Sequence, residues 1–128
     1  MWKSLIAALA LTACASEPAI TDTPNAPHDR ITFAGEIASV DERSICEAVG
    51  GKVRRDGMAG WEHCIQEYAD AGAACSDASD CLGRCMNDGE FTAAGQPTDA
   101  GRCEANDSPF GCFQTVENGV ATAALCVD

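Results

Sequence analysis

Cys75-Ser76-Asp77-Ala78-Ser79-Asp80-Cys81-Leu82-Gly83-Arg84-Cys85 sets three cysteines among Ser, Asp and Gly, the residues that favour turns, and shows neither helical nor strand periodicity. A segment with so little to bury is held by covalent bonds. Cys46 and Cys64 precede it, and Cys103, Cys112 and Cys126 follow. The chain has nine cysteines; setting Cys14 apart leaves an even set, which in an exported protein reads as four disulfides. Aromatic residues make up only 5% of the chain, so the core is thin, and small domains of this kind depend on cross-links worth about 2–4 kcal/mol each. Connectivity stays open among about a hundred pairings.

Outward from this knot the sequence predicts a small α+β disulfide-rich domain, with one short helix, short antiparallel hairpins and many loops. Ser39-Val40-Asp41-Glu42 reads as a capping box opening a helix over 40–49. Ile45, Cys46 and Val49 form its inward stripe, and Gly50-Gly51 ends it. A hairpin is expected next, Lys52–Arg55 and Gly60–Gln66 around Asp56-Gly57. Trp61 and Ile65 share one face of its second strand while Cys64 lies on the other, which predicts a bulge or burial on both faces. Cys46–Cys64 is the preferred bridge here. Residues 69–74 and 87–100 read as loops. In the last hairpin, Phe110–Val116 and Val120–Cys126 flank Asn118-Gly119, whose residues suit the positive φ of a two-residue turn. That turn sets Val116 opposite Ala121 and Cys112 opposite Leu125. Cys112 and Cys126 then point to opposite faces and bond elsewhere, to the central knot, unless a bulge shifts the register.

Near the start of the chain Lys3 precedes an apolar run from Leu5 to Leu11, too short for the roughly twenty residues that cross a bilayer. Leu11-Thr12-Ala13-Cys14 follows and resembles the lipobox of bacterial lipoproteins. The resemblance implies a signal peptide over 1–13, cleavage before Cys14 and acylation of its thiol. Two or more acyl chains anchor stably, at about 0.8 kcal/mol per buried methylene. Ala15, where Asp would favour the inner membrane in such lipoproteins, implies the outer membrane facing the periplasm. Residues 14–30 carry Pro18, Pro24 and Pro27 among polar residues and read as a disordered tether, with a reach of roughly 20–25 Å. His28 is expected to be solvated within it. The disulfide-rich domain spans 31–128.

Cys46-Glu-Ala-Val-Gly-Gly51, Asp70-Ala-Gly-Ala-Ala-Cys75, Asp80-Cys-Leu-Gly-Arg-Cys85, Gly111-Cys-Phe113 and Leu125-Cys-Val-Asp128 together resemble small cysteine-rich exported proteobacterial proteins. The likeness implies a shared disulfide domain over about 46–128 and carries no mechanism.

The formal net charge is −12, and loss of Lys3 with the signal makes it one unit more negative. Scattered basic residues and few aromatics argue against nucleic acid as a partner. For zinc, only Cys81 and Cys85 approach ligand spacing, with no second pair. The turns at 76–80 and 87–90 lack the alternating order of a calcium loop. No metal and no cofactor is expected. His63 is the only histidine of the domain, and no nucleophile, zincin or phosphate-loop motif accompanies it. Glu62 and Glu67 are the nearest to a carboxylate pair for acid–base work. The expectation is a lipid-anchored domain that binds or scaffolds an envelope protein and is not an enzyme. An inhibitor of a peptidase or other envelope enzyme is the alternative, favoured by a rigid exposed tip within 54–60 or 87–100. An envelope hydrolase or redox protein comes last.

Overall fold

The computed structural model describes residues 28–128; the expected signal peptide, Cys14 and most of the tether lie outside them. Among the described residues, no helix is long and apolar enough to cross a membrane.

Helix α1 (Val40–Ala48) starts as its sequence dictates. The Ser39 hydroxyl accepts from the Glu42 amide, and the Glu42 carboxylate reaches back to the Ser39 amide. The end is equally local: Gly50, with φ of 80°, donates to the Glu47 carbonyl while Gly51 donates to that of Cys46, the paired bonds of a Schellman motif. Strands β1 (Lys52–Asp56) and β2 (Trp61–Ile65) pair antiparallel without a bulge, Lys52 opposite Ile65 and Asp56 opposite Trp61. Cys64 and Ile65 are both buried, so the end of β2 is packed on both faces. The expected bridge Cys46–Cys64 ties α1 to β2. It passes so close over Gly51 that a Cβ there would lie 2.7 and 2.8 Å from the two sulfurs.

The inward stripe expected on α1 does not form. Only Cys46 is buried, and Ile45 and Val49 are each 56% exposed. The helix needs no wider apolar seam, because the disulfide and an Arg43–Glu62 ion pair fix it to the hairpin.

The knot contains a single 3-10 turn, Ala78–Asp80, closed by reciprocal bonds between the Asp77 and Asp80 side chains and the backbone. Strands β3 (Cys85–Asn87) and β4 (Gly101–Cys103), neither expected from periodicity, pair with Cys85 opposite Cys103. The facing cysteines do not bond to each other. Cys85 bonds Cys75 and Cys103 bonds Cys81, so two neighbouring disulfides clamp the knot onto the ribbon.

At the carboxyl end, β5 (Gly111–Phe113) pairs with β8 (Leu125–Val127), and β6 (Val116–Glu117) with β7 (Val120–Ala121). Asn118 and Gly119 turn with φ of 49° and 76°, and Val116 faces Ala121 as expected. Cys112, however, faces Cys126 and is bonded to it, which corrects the expectation that both reach the knot. Thr122 still donates to Thr115, whereas Phe113 pairs with Leu125. Gln114 alone therefore opposes Ala123 and Ala124, and this one-residue bulge brings the cysteines onto the same side. The bulge centres on the Gln114 side chain, 1% exposed, whose amide donates to the carbonyls of Thr92 and Thr122 and accepts from Asn87 Nδ2 and the Thr92 amide.

The long loop after β3 follows β7, with bonds from Gly95 to Ala121, Ala121 to Gln96 and Thr98 to Gly119. Among the described residues, four of the eight buried apolar ones are cysteines, beside Ala38, Ile65, Val116 and Ala121. The core is thus as much covalent as hydrophobic.

Residues 28–30, expected to belong to the tether, are bound to the domain. His28 stacks on Tyr68 with centroids 4.8 Å apart and pairs with the buried Asp107 carboxylate at 3.1 Å. Arg30 donates to the Asp107 carbonyl, and Gln66 Nε2 donates to the Asp29 carbonyl. Asp107 supplies acceptors that a composition scan of 14–30 does not reveal.

Candidate functional site

The two faces of the β1–β2 hairpin do different work. Glu62 points toward α1, where it takes the Arg43 guanidinium and the Ala38 amide; both bonds, Arg43 foremost, hold its carboxyl below the usual range. Glu67 reaches Lys52 at 3.5 Å in solvent. The two carboxylates therefore do not converge as an acid–base pair.

The opposite face opens a groove of about 570 Å³ at the hairpin tip. Trp61 and His63, two residues apart on β2, supply two walls. Phe110 supplies the third, its ring 5.1 Å from that of His63 at a 60° tilt. Phe110 also rests on the turn: a Cβ on Gly57 would come within 2.9 Å of its ring. Met58, 80% exposed, and Ala59 complete the apolar lining, while Trp61 is 46% exposed. Asp56 and Asp128 add two carboxylates to the lining.

The tip is braced. Gly60 donates to the Gly57 carbonyl, Arg55 donates to the Gly60 carbonyl, and Cys46–Cys64 clamps the base. Asp56 accepts the Ser108 hydroxyl and the Gly57 amide; the hydroxyl first, then that amide and the charges of Arg54 and His63, outweigh burial and keep its carboxyl below the ordinary range. Ser108 in turn accepts from the Phe110 amide at 3.4 Å, so the carboxylate also positions the third wall.

No known family model, curated protein or solved structure matches this chain. The chemistry of the site is therefore read from its own groups. Ser108, His63 and Asp56 share one region, but the serine hydroxyl bonds the carboxylate directly, whereas nucleophile activation requires the imidazole between them. That hydroxyl fixes a loop. A second cleft, about 530 Å³, lies beside β3 and β4. Of its charges, Arg84 and Glu104 are engaged with each other at 2.8 Å, Arg84 lies 4.2 Å over the Phe113 ring, and Arg102 donates to the Gly101 carbonyl.

The sulfurs of Cys75, Cys81 and Cys85 lie within 4.8 Å of one another, and the Asp70 carboxylate is equally near those of Cys81 and Cys103. As disulfides these sulfurs carry no thiolate, the form that ligates zinc. A rigid tip within 54–60 was legible in the sequence, but its pairing of Met58 with an exposed Trp61 was not. Phe110, contributed by a remote loop, carried no sequence signal linking it to them.

Proposed function

We propose that the chain is a lipid-anchored cell-envelope domain that docks a partner protein through the groove at the β1–β2 tip. The observation that carries this reading is the exposure of Met58 and Trp61 on a disulfide-braced turn. Large apolar side chains in water gain by burial in a complex, and a rigid tip loses little entropy on binding. The motif Leu11-Thr12-Ala13-Cys14 supports anchoring, and the acidic balance supports a protein rather than a nucleic-acid partner.

Two measurements test it. Intact mass of the membrane-extracted protein should give an acylated chain beginning at Cys14 with no free thiol before reduction; an unacylated chain or free thiols would remove the anchoring or the disulfide half. A photo-crosslinking residue at Met58 should yield one discrete product in the source cells, while the same residue at exposed Asp99 should not. The captured protein, once purified, should bind the wild type and fail to bind Trp61→Ala. Equal capture at both positions, or binding indifferent to Trp61, would overturn the docking surface. The braced, exposed tip also suits an inhibitor that offers Met58 to a peptidase cleft, and that reading predicts stoichiometric loss of the captured enzyme's activity on titration.

A further inference from the structure

The docking reading leaves the chemistry of the partner open, and the groove narrows it. We infer that the groove accepts a cationic side chain, a lysine or arginine presented by a partner protein, with its alkyl stem on the apolar lining and its charge against the aromatic faces and the lining carboxylates. The inference rests on the tip being the docking surface.

Its basis is the inventory of the groove. Trp61, Phe110 and Met58 line the groove together with His63 and two carboxylates, Asp56 and Asp128, and neither lysine nor arginine lines the space. The faces of tryptophan and phenylalanine carry negative quadrupole potential and attract a cation within about 6 Å of the ring centre, so Trp61 and Phe110 form the zone for the charge. A long basic side chain matches both zones, apolar along its stem and charged at its end. Asp56 stands directly across the ribbon from Trp61, and Ser108 secures its carboxylate in place. The chain's formal charge of −12 adds a field that draws basic surfaces in and rejects acidic ones.

Nearby cations of the chain itself are only partly committed elsewhere. Arg55 is bound to the Gly60 carbonyl. Arg54 lies directly across the ribbon from His63, on the same face as the groove, and approaches Asp56 at 3.7 Å with half of its side chain exposed, so without lining the groove it competes for the carboxylate. Removing it should help an incoming cation, an effect that simple hydrophobic docking does not produce.

The test is an NMR titration of the disulfide-bonded full chain in detergent, following the Trp61 indole and Met58 methyl signals. The probes are the peptide Gly-Phe-Lys-Phe-Gly, the same peptide with norleucine or glutamate at its centre, and tetramethylammonium chloride. The lysine peptide should shift these signals saturably and bind about two- to five-fold more tightly than the norleucine peptide, the range expected for an exposed cation–π contact. Trp61→Ala should abolish the difference, and Arg54→Gln, a surface change that leaves the fold intact, should enlarge it. Equal binding of the norleucine or glutamate peptide, shifts confined to other regions, or no gain in Arg54→Gln would overturn the inference. Binding of tetramethylammonium without the lysine peptide would overturn the protein partner and reassign the groove to a small ammonium ligand. A Met58 crosslink to a partner whose binding ignores Arg54 would sink this inference and spare the docking surface. Lysine-peptide binding without any cellular crosslink would do the reverse.

Discussion

Replacing Gln114 by leucine should destabilise the domain far more than a swap of similar-sized side chains in an apolar site. The amide of Gln114 faces two carbonyls, those of Thr92 and Thr122, at 2.7 and 2.8 Å, and two donors, Asn87 Nδ2 and the Thr92 amide, at 2.7 and 3.1 Å. In the leucine variant the Thr92 amide and both carbonyls lose these partners, while Asn87 retains its bond to the Glu90 carbonyl. Thr92 is exposed and Thr122 half-buried, so water meets part of the loss and each of the three groups costs about 1–2 kcal/mol, the lower part of the range for an unsatisfied group. Part of that loss, about 1–2 kcal/mol, returns through the extra apolar burial of leucine. The net cost is roughly 2–4 kcal/mol, a large share of the about 5–15 kcal/mol that stabilises a typical domain.

Urea unfolding without reductant measures the cost, and amide exchange at Thr92 locates it. The Gln114→Glu variant supplies an independent sign. Its carboxylate can serve the two donors, but the second oxygen then meets the two carbonyls, so the folded state favours the protonated acid and raises its pKa above the unfolded value near 4.3. A raised folded pKa means that stability is fully present below the unfolded pKa and is lost as pH rises through the folded one. Gln114→Glu should therefore approach wild-type stability near pH 4 and fall well below it at pH 7. A leucine variant within about 1 kcal/mol of wild type with Thr92 still protected, or a glutamate variant whose deficit ignores pH, would refute the role assigned to Gln114.

Gly51→Ala should impair oxidative folding, because the added methyl meets both sulfurs of Cys46–Cys64; a normal yield with that bridge formed, read by peptide mapping, would contradict the close approach. Acid should weaken the fold through Glu42, Asp56, Glu62 and Asp77, all held below their ordinary range by hydrogen bonds. Depressed folded values give stability that is present above the unfolded carboxylate pKa and lost as pH falls through the folded one, so the decline belongs below about pH 4. Ser108→Ala removes the largest cause at Asp56, and NMR titration of that carboxyl should show its pKa rise. Double replacement of Cys112 and Cys126 by alanine opens a loop of sequence separation 14 and should cost about 3 kcal/mol, with exchange accelerating first in β5 and β8; uniform acceleration across β1 and β2 would show instead that the bridge supports the whole domain.

The features legible in the sequence are those decided within a few residues. Ser39 with Glu42, Gly50 with Gly51, and Asn118 with Gly119 each satisfy or shape their own neighbouring backbone, so a reader of the chain needs no distant information to place α1 or the last turn. Cys46–Cys64 was within reach for a related reason, since a capped helix followed at once by a hairpin leaves one short route between them. The Cys112–Cys126 register was not. It depends on a bulge at Gln114, whose amide answers to Thr92 and Asn87 on another segment, and a periodicity of two carries no record of such partners. His28 and Arg30 were misplaced on the same ground, being drawn to an Asp107 that lies far along the chain.

The apolar stripe on α1 failed differently. Ile45 and Val49 have the spacing of a buried face, yet a disulfide and an ion pair already hold the helix and leave both side chains in water. In a domain whose buried apolar set is half cysteine, hydrophobic spacing loses its authority over which surfaces close. The same reasoning explains the groove. Covalent bonds stabilise the hairpin well enough that Trp61 and Met58 need not enter the core, so they remain available at the tip, and Phe110 joins them from a distant loop through the Asp56–Ser108 bond and its packing on Gly57 and His63.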